Sequence, residues 1–229
     1  GLLSASFPNP EDYELAAHWS LLASAKPDQV LVIGDTSLGI IKEVLKYKPK
    51  RTDYVVIDNS FIDFVEPYLE SEDIMALKDP EVKIHYADPR ILVRDNKDRY
   101  DAVIINMQEA PNLKANRLYT KEFYAGIRRL LKPDGIFGLS VASSENYLSA
   151  QTRLFDASVY RTLKSVFNTV EAIPGDTIVF LSGLSTIDMQ KNTILRRFNE
   201  RKISNRYVIP SYIEYKLEAE RRAELKKLL

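Results

Sequence analysis

The stretch that decides the fold is residues 29–40, which reads QVLVIGDTSLGI. It begins with a compact apolar run, continues through a turn that contains Gly34 and Gly39, and leads into a segment with helical apolar spacing. A strand followed by a glycine turn and a helix is the arrangement that nucleotide-binding α/β folds use for their ligand loop. The stretch therefore predicts such a fold.

The turn itself carries candidate cofactor-binding residues. A helix N-terminus offers free N–H groups to an anionic or carboxylate-bearing ligand, and glycine lets a backbone approach a ligand closely. We therefore predict that Gly34, Asp35, Ser37 and Gly39 contact a cofactor.

Outward from this stretch, apolar strands alternate with helical segments, which predicts a parallel, doubly wound sheet. The last two strands are joined by Gly175-Asp176 and are expected to form an antiparallel hairpin. We predict an α/β fold of the S-adenosylmethionine-dependent methyltransferase-like Rossmann type, with a seven-stranded, mostly parallel sheet. The predicted strands are 29–33, 53–58, 82–87, 101–106, 136–141, 169–174 and 177–182.

Composition excludes several classes of site. Cysteine is absent from the 229 residues, which rules out a disulfide framework and a thiolate zinc centre. Two histidines far apart in the sequence argue against a His-rich metal site, so no metal is predicted. No apolar run approaches the ~18–20 residues of a membrane span. The chain begins at Gly1 without an initiator Met, and we expect it to be cut from a longer protein.

Charge divides the chain unevenly although its net charge is zero. Residues 190–229 hold eleven Lys or Arg and five Glu, a net charge of +6. We therefore predict two parts: a Rossmann domain over 1–185, and a basic helical extension over 186–229 that packs on it or trails from it. A basic tail can meet anionic lipid or nucleic acid. We favour a solvated helix face and expect no nucleic-acid binding, because no recognition motif accompanies the charge.

Polar residues follow the predicted strands at the edge where such folds bind ligands. Asp58 is placed to accept ribose hydroxyls or to cap the next helix. Asp88 is placed to meet an adenine amine or to cap a helix over 90–95. Asn106 and Glu109 follow the fourth strand, where a reacting group would lie, and are the catalytic candidates.

A first helix over residues 12–25 places Glu14 and His18 one turn apart on the same face. A lone His near an apolar face is more often structural, but this pair could also line a pocket for a cationic or polar substrate. We assign both to the substrate side of the site, together with Tyr119.

Several segments together resemble the spermidine synthase (polyamine aminopropyltransferase) family, from about residue 11 to 183. Among them are ELAAHWSLL (14–22), YDAVIIN (100–106) and FYAGIRRLLKPDGIFGLS (123–140). The segments NRLYTKEFY (116–124) and NRYVIPSYIEYKLEAERR (205–222) resemble most the branch in which such a domain is fused to a multi-span membrane segment.

The resemblance implies transfer of an aminopropyl group from decarboxylated S-adenosylmethionine to an amine such as putrescine. The attacking amine must lose a proton, so a carboxylate beside it serves as base. The resemblance also implies S-adenosylmethionine or its decarboxylated form as the nucleoside and a homodimer. The expected location is the cytoplasm, whether as a free domain or as the cytoplasmic domain of a membrane protein.

The chain departs from the family's pattern at the positions that matter most. The family's loop reads Gly-Gly-Gly-Asp-Gly-Gly; over Gly34–Gly39 three glycines are replaced, and the acid falls on Ser37. The ribose-binding Glu is replaced by Val56. Asn106 stands at the position of the base and cannot take a proton near neutral pH, while Glu109 stands at the second acid.

These departures lead to three readings of function. The first is a spermidine synthase-like pseudoenzyme: a non-catalytic or weakly active binding or regulatory module. The second is an active aminopropyltransferase that moves an aminopropyl group to a polyamine. The third is a methyltransferase that uses S-adenosylmethionine on the same fold. From the sequence alone we favour the first.

Overall fold

The computed structural model describes residues 9–34, 38–57, 62, 65–106, 117–145 and 149–229. Its strands are β1 (Gln29–Ile33), β2 (Arg51–Val56), β3 (Val82–Tyr86), β4 (Tyr100–Ile105), β5 (Leu131–Ala142), β6 (Thr169–Ile173) and β7 (Thr177–Gly183). Its helices are α1 (Pro10–Ala23), α2 (Ile40–Leu45), α3 (Ser71–Leu77), α4 (Pro89–Asp95), α5 (Lys121–Leu130), α6 (Ala150–Lys164), α7 (Lys191–Glu200), α8 (Pro210–Lys216) and α9 (Ala219–Leu228).

The described strands form one seven-stranded sheet in the order β3-β2-β1-β4-β5-β7-β6. The first five strands in that order pair in parallel, and β7 lies antiparallel between β5 and β6. The order reverses between β1 and β4, which is the switch point where open α/β sheets bind ligands. The predicted fold class, including the closing antiparallel pair, is confirmed.

Alternate residues of the central strands pack on opposite faces of the sheet. Leu31 and Ile33 of β1 lie in one apolar cluster with residues of α5 and α6. Val30 and Val32 lie in a second cluster with residues of α1, α2 and α3. Because both faces are covered, the strands read as continuous apolar runs rather than alternating ones.

Two local predictions differ from the structure. The sequence predicts a helix over 60–70; of its described residues, 62 and 65 are helical and Glu66–Tyr68 form a 3₁₀ turn, which is followed by α3, a helix that the sequence did not suggest. The proline within that turn, Pro67, lacks an N–H and disfavours helical backbone before it. The sequence also predicts a turn at 132–135 (KPDG); in the structure these residues form a bulge inside β5, since Leu131 pairs with Tyr100 and Ile136 with Ala102.

The C-terminal segment packs on the sheet domain through α1. Apolar residues of α7 and α8 share a cluster with Leu15, Trp19 and Leu22 of α1. The guanidinium groups of Arg197 and Arg201 donate hydrogen bonds to carbonyls at the C-terminal end of α1, at 2.8 Å each: those of Leu21, Leu22, Ala23, Ser24 and Ala25. Basic groups there satisfy carbonyls that the helix leaves unpaired. The domain boundary at residue 185 stays a prediction.

The buried carboxylate of Glu14 forms a second contact between α1 and the C-terminal segment. It accepts hydrogen bonds from the backbone N–H groups of Arg206, Tyr207 and Val208, at 2.7–2.9 Å. These N–H groups precede α8, so one side chain of α1 fixes the approach of the chain to that helix.

Replacing Glu14 by Gln should destabilise this junction. An amide offers one oxygen acceptor where the carboxylate offers two, and hydrogen bonds to charged groups are worth about 1.5–3 kcal/mol. We expect the free energy of unfolding to fall by about 1–3 kcal/mol, measured by denaturant or thermal unfolding. The exposed Glu11→Gln is the matched control. Equal stability of the two variants would contradict the anchoring role.

Candidate active site

The carboxyl ends of β1 and β4 meet at Gly34 and Asn106. The N–H of Asn106 donates to the carbonyl of Ile33, and the N–H of Gly34 donates to the carbonyl of Val55, both at 3.2 Å. A Cβ atom on Gly34 would lie 2.3 Å from the carbonyl oxygen of Asn106, and Gly34 has a φ of +158°. Only glycine fits, because the neighbouring strand end occupies the space that a side chain would need.

Gly39 is constrained in a similar way on the other side of the loop. A Cβ atom there would lie 2.5 Å from Cδ2 of Tyr13, a buried residue of α1. Both glycines predicted to bind a cofactor are therefore required by packing within the chain. A contact between either glycine and a ligand stays a prediction.

The Gly34 contact can be tested by adding one methyl group. We expect Gly34→Ala to lower the free energy of unfolding by at least about 1–3 kcal/mol, the usual cost of overpacking. Gly183→Ala is the control, because its Cβ would meet a side-chain atom of Ile187 at 3.3 Å. Thermal unfolding measures both. A Gly34→Ala variant as stable as Gly183→Ala would contradict the close approach of β1 and β4.

Asn106 lies beside a residue that the sequence reading missed. Its side chain is buried, and the residue is 3% exposed. Ile105 pairs with Leu139, so the next residues along, Asn106 and Ser140, stand side by side at the edge. Ser140 is 7% exposed, and its hydroxyl has no hydrogen-bond partner among the described residues. The one sequence signal was a polar residue inside the apolar run of β5.

Asp88 caps α4 and is paired with the second residue of that helix. Its Oδ1 accepts the backbone N–H of Arg90 at 2.9 Å, and its Oδ2 lies 2.6 Å from the Arg90 guanidinium. Hydrogen bonding to that guanidinium holds the pKa of Asp88 below its usual value. Of the two roles the sequence allowed, the helix cap is present; a contact with adenine stays a prediction.

Val56 closes β2 with an apolar side chain that is fully buried. It belongs to the same cluster as Tyr13, Leu38 and Val65. At the position where the family's pattern has a ribose-binding Glu, this chain therefore offers packing and no hydrogen-bond acceptor.

Four of the predicted site residues lie outside the described part of the chain. They are Asp35, Ser37, Asp58 and Glu109. Their roles stay predictions.

His18 is completely buried and both ring nitrogens have partners. Nε2 lies 2.8 Å from Oε2 of Glu43, and Nδ1 lies 2.8 Å from the hydroxyl of Tyr47. Burial lowers the pKa of His18, and the hydrogen bond to Glu43 opposes that shift without reversing it. A neutral ring that donates from Nε2 and accepts at Nδ1 satisfies both contacts. These contacts favour a structural role for His18, as the backbone contacts do for Glu14; their substrate roles stay predictions.

The buried His18 should make stability depend on pH. Its folded pKa is below the unfolded value of about 6.5, so below that pH the unfolded state takes up a proton that the folded state does not. Stability should therefore fall as pH drops from 7.5 to 5.5, by up to about 1.4 kcal/mol per pH unit.

Unfolding of wild type and His18→Gln at several pH values within that window measures the effect. The His18→Gln variant should show a flatter pH dependence. His85→Gln removes the other histidine and is the control in which the contribution of His18 remains. Parallel curves for wild type and His18→Gln would contradict the assignment.

Tyr119 lies just before Thr120, the N-cap of α5, and packs against α6. Its ring meets that of Phe155 edge-on, with centroids 5.5 Å apart. Burial raises the pKa of the Tyr119 hydroxyl to about 12. The residue therefore remains a neutral hydroxyl at physiological pH, and its contact with substrate stays a prediction.

The segment after β5 is tied to the C-terminal extension. Glu145 pairs with Lys216 at 2.6 Å and with Arg221 at 3.0 Å. Lys216 is itself buried, so its ammonium depends on that carboxylate for compensation. Basic residues of the C-terminal extension therefore form ion pairs with the segment that follows β5.

The described residues lack two features. They contain no group of three or more His, Cys, Asp or Glu placed to hold a metal ion. They also contain no helix with the length and apolar character needed to cross a membrane.

The strand order and the antiparallel β7 define the methyltransferase-like Rossmann fold. Residues 11–189 match the family model described as spermine/spermidine synthase domain. The chain belongs to that family. The resemblance to the membrane-fused branch stays a prediction.

Comparisons with individual proteins agree with this assignment. A protein named polyamine aminopropyltransferase from Korarchaeum cryptofilum is 31% identical over 94% of this chain and 69% of its own length. The crystal structure of spermidine synthase from Thermotoga maritima covers 96% of this chain and 74% of its own, with a TM-score of 0.78 and 22% identity. Human methyltransferase-like protein 13 in complex with SAH covers 90% and 92%, with a TM-score of 0.63 and 16% identity.

Proposed function

We propose that this chain is an aminopropyltransferase that moves an aminopropyl group from decarboxylated S-adenosylmethionine to a polyamine. The observation that carries the proposal is the intact frame at the switch point, where Gly34 of β1 closes on Asn106 of β4. That frame places the backbone of Asn106 against the end of β1, which supports a ligand site at this edge of the sheet. The relative named polyamine aminopropyltransferase, which aligns over nearly the whole chain, supports the same activity.

The transfer reaction requires little acid–base catalysis by the protein. The amine nitrogen attacks the aminopropyl carbon beside the sulfonium, the carbon–sulfur bond breaks, and methylthioadenosine leaves as a neutral thioether. Positioning of the two substrates supplies most of the acceleration. The carbonyl of Asn106 can accept a hydrogen bond from the amine N–H and orient its lone pair, but cannot take up its proton. Glu109 is our proposed acceptor of that proton.

A second candidate is a binding or regulatory module of the same family without catalysis. Two observations favour it: Val56 presents no acceptor for ribose hydroxyls, and an amide stands where the family's base is expected. Methyl transfer from S-adenosylmethionine is a third outcome. Homodimer formation, a fused membrane domain and a cytoplasmic location also remain proposals.

One assay separates these candidates. The chain is incubated with decarboxylated S-adenosylmethionine and putrescine or spermidine, and methylthioadenosine is quantified. We expect release that depends on the amine and is reduced at least tenfold in Glu109→Gln. Glu122→Gln, an exposed residue of α5, is the control that should retain activity. Release that is absent, or independent of the amine, would overturn the proposal.

Thermal unfolding with the nucleosides then distinguishes a binding module from a chain that binds neither substrate. A ligand at 100 times its dissociation constant stabilises by about 2.7 kcal/mol, which for a chain of this size raises Tm by about 5–10 °C. A shift without turnover indicates the binding module. Methylation of an amine with S-adenosylmethionine as the donor would indicate a methyltransferase.

A further inference from the structure

Asp156 of α6 is a buried carboxylate that the chain satisfies only in part. It is 2% exposed and shares one helix face with Val159 and Leu163, both of which are buried in the apolar cluster on that side of the sheet. Its Oδ2 accepts a hydrogen bond from the hydroxyl of Ser143 at 2.7 Å. Its Oδ1 is buried as well and has no hydrogen-bond partner among the described residues.

Such a group needs an explanation, because an unpaired buried carboxylate is unstable. Transfer of a charge from water into an apolar environment is costly unless a partner compensates it. Burial accordingly raises the pKa of Asp156, with the hydrogen bond from Ser143 opposing the shift. Among the described residues, no Lys or Arg forms an ion pair with this carboxylate, and burial and the Ser143 hydroxyl are the influences on its pKa.

The position of this carboxylate relates it to the switch point. Ser143 follows β5 and comes three residues after Ser140, which stands beside Asn106. At about 3.3 Å per residue, Ser143 lies roughly 10 Å beyond Asn106 along the strand direction, past the carboxyl edge. Tyr119 contacts the same helix, because its ring meets that of Phe155, the residue before Asp156.

We propose that Asp156, oriented by Ser143, binds a cationic nitrogen of the amine substrate at the end remote from the reacting one. A polyamine carries an ammonium at each end, and only one of them is consumed. The unused lone pairs of a buried carboxylate match an ammonium, which donates up to three hydrogen bonds. The chain thus provides an anion at a distance from Asn106 and a neutral amide at the reacting end. This inference rests on the proposed function for the identity of the amine.

Calorimetric titration tests the inference without requiring turnover. Spermidine is titrated into the full chain loaded with methylthioadenosine. We expect Asp156→Asn to weaken spermidine binding about 10- to 100-fold, as expected for loss of a charged hydrogen bond. Methylthioadenosine affinity should be unchanged. Asp134→Asn is the matched control, since Asp134 also accepts from a serine hydroxyl, that of Ser185, at an exposed site. It should bind spermidine as wild type does.

A purely structural carboxyl would give a different result. If Asp156 serves only as a protonated core residue, the isosteric Asn should preserve spermidine affinity, and that outcome overturns the inference. Should Asp156→Asn fail to fold, carbon NMR of the wild-type carboxyl decides the matter: spermidine should lower the apparent pKa of Asp156, and an unchanged pKa contradicts the proposal.

The two proposals can fail separately. Absence of methylthioadenosine release would overturn the transfer reaction while leaving the amine subsite open to titration. Unchanged spermidine binding in Asp156→Asn, together with normal release, would overturn only the subsite. With an active chain, the Michaelis constant for the amine should rise in Asp156→Asn while kcat changes little, because the residue binds the end that does not react.

Discussion

The close approach of β1 and β4 is the constraint on which the candidate site depends. Where Gly34 meets the backbone of Asn106, no side chain can be accommodated, so the ends of β1 and β4 are held in one arrangement. Both strand ends are also bonded to their outer neighbours: the N–H of Gly34 donates to Val55 of β2, and Ile105 of β4 pairs with Leu139 of β5. The positions of the two strand ends are therefore fixed within the sheet. The site is therefore built on rigid strand ends, and its specificity is left to the side chains that follow them.

The architecture could be read from the sequence because its signals are local and repeated. Apolar runs such as 29–33 and 101–106 are typical of strands buried on both faces. Elements that depend on less local effects were harder to predict. The helix α3 begins at Ser71, three residues after the 3₁₀ turn that contains Pro67. With seven residues, it is too short for apolar periodicity to identify it as a helix. The bulge at 132–135 is fixed by pairing with β4, which no local pattern reveals.

The sequence identified residues of the candidate site by their type, but it did not reveal the contacts that constrain them. The sequence marked Gly34 and Gly39 as the residues of a ligand loop, whereas the structure explains both by contacts within the chain. It marked His18 as polar on a helix face, but could not reveal that Glu43 and Tyr47 take both ring nitrogens. Each of these partners is distant in sequence, so only the folded arrangement identifies them.

An amide at the position of the family's base does not by itself indicate loss of activity, because it also changes the charge at the reacting end. An amide at Asn106 removes an anion from the reacting end, which lowers the attraction for a cationic nitrogen there but also lowers the energy needed to bring that nitrogen to its neutral, nucleophilic form. Binding of a polycation then requires negative charge elsewhere. Asp156 is a carboxylate buried beside the same edge, with Oδ1 unsatisfied among the described residues. A chain that had lost all use for an amine would gain stability by replacing such a group with an apolar one, so its presence fits a site that keeps its cationic ligand.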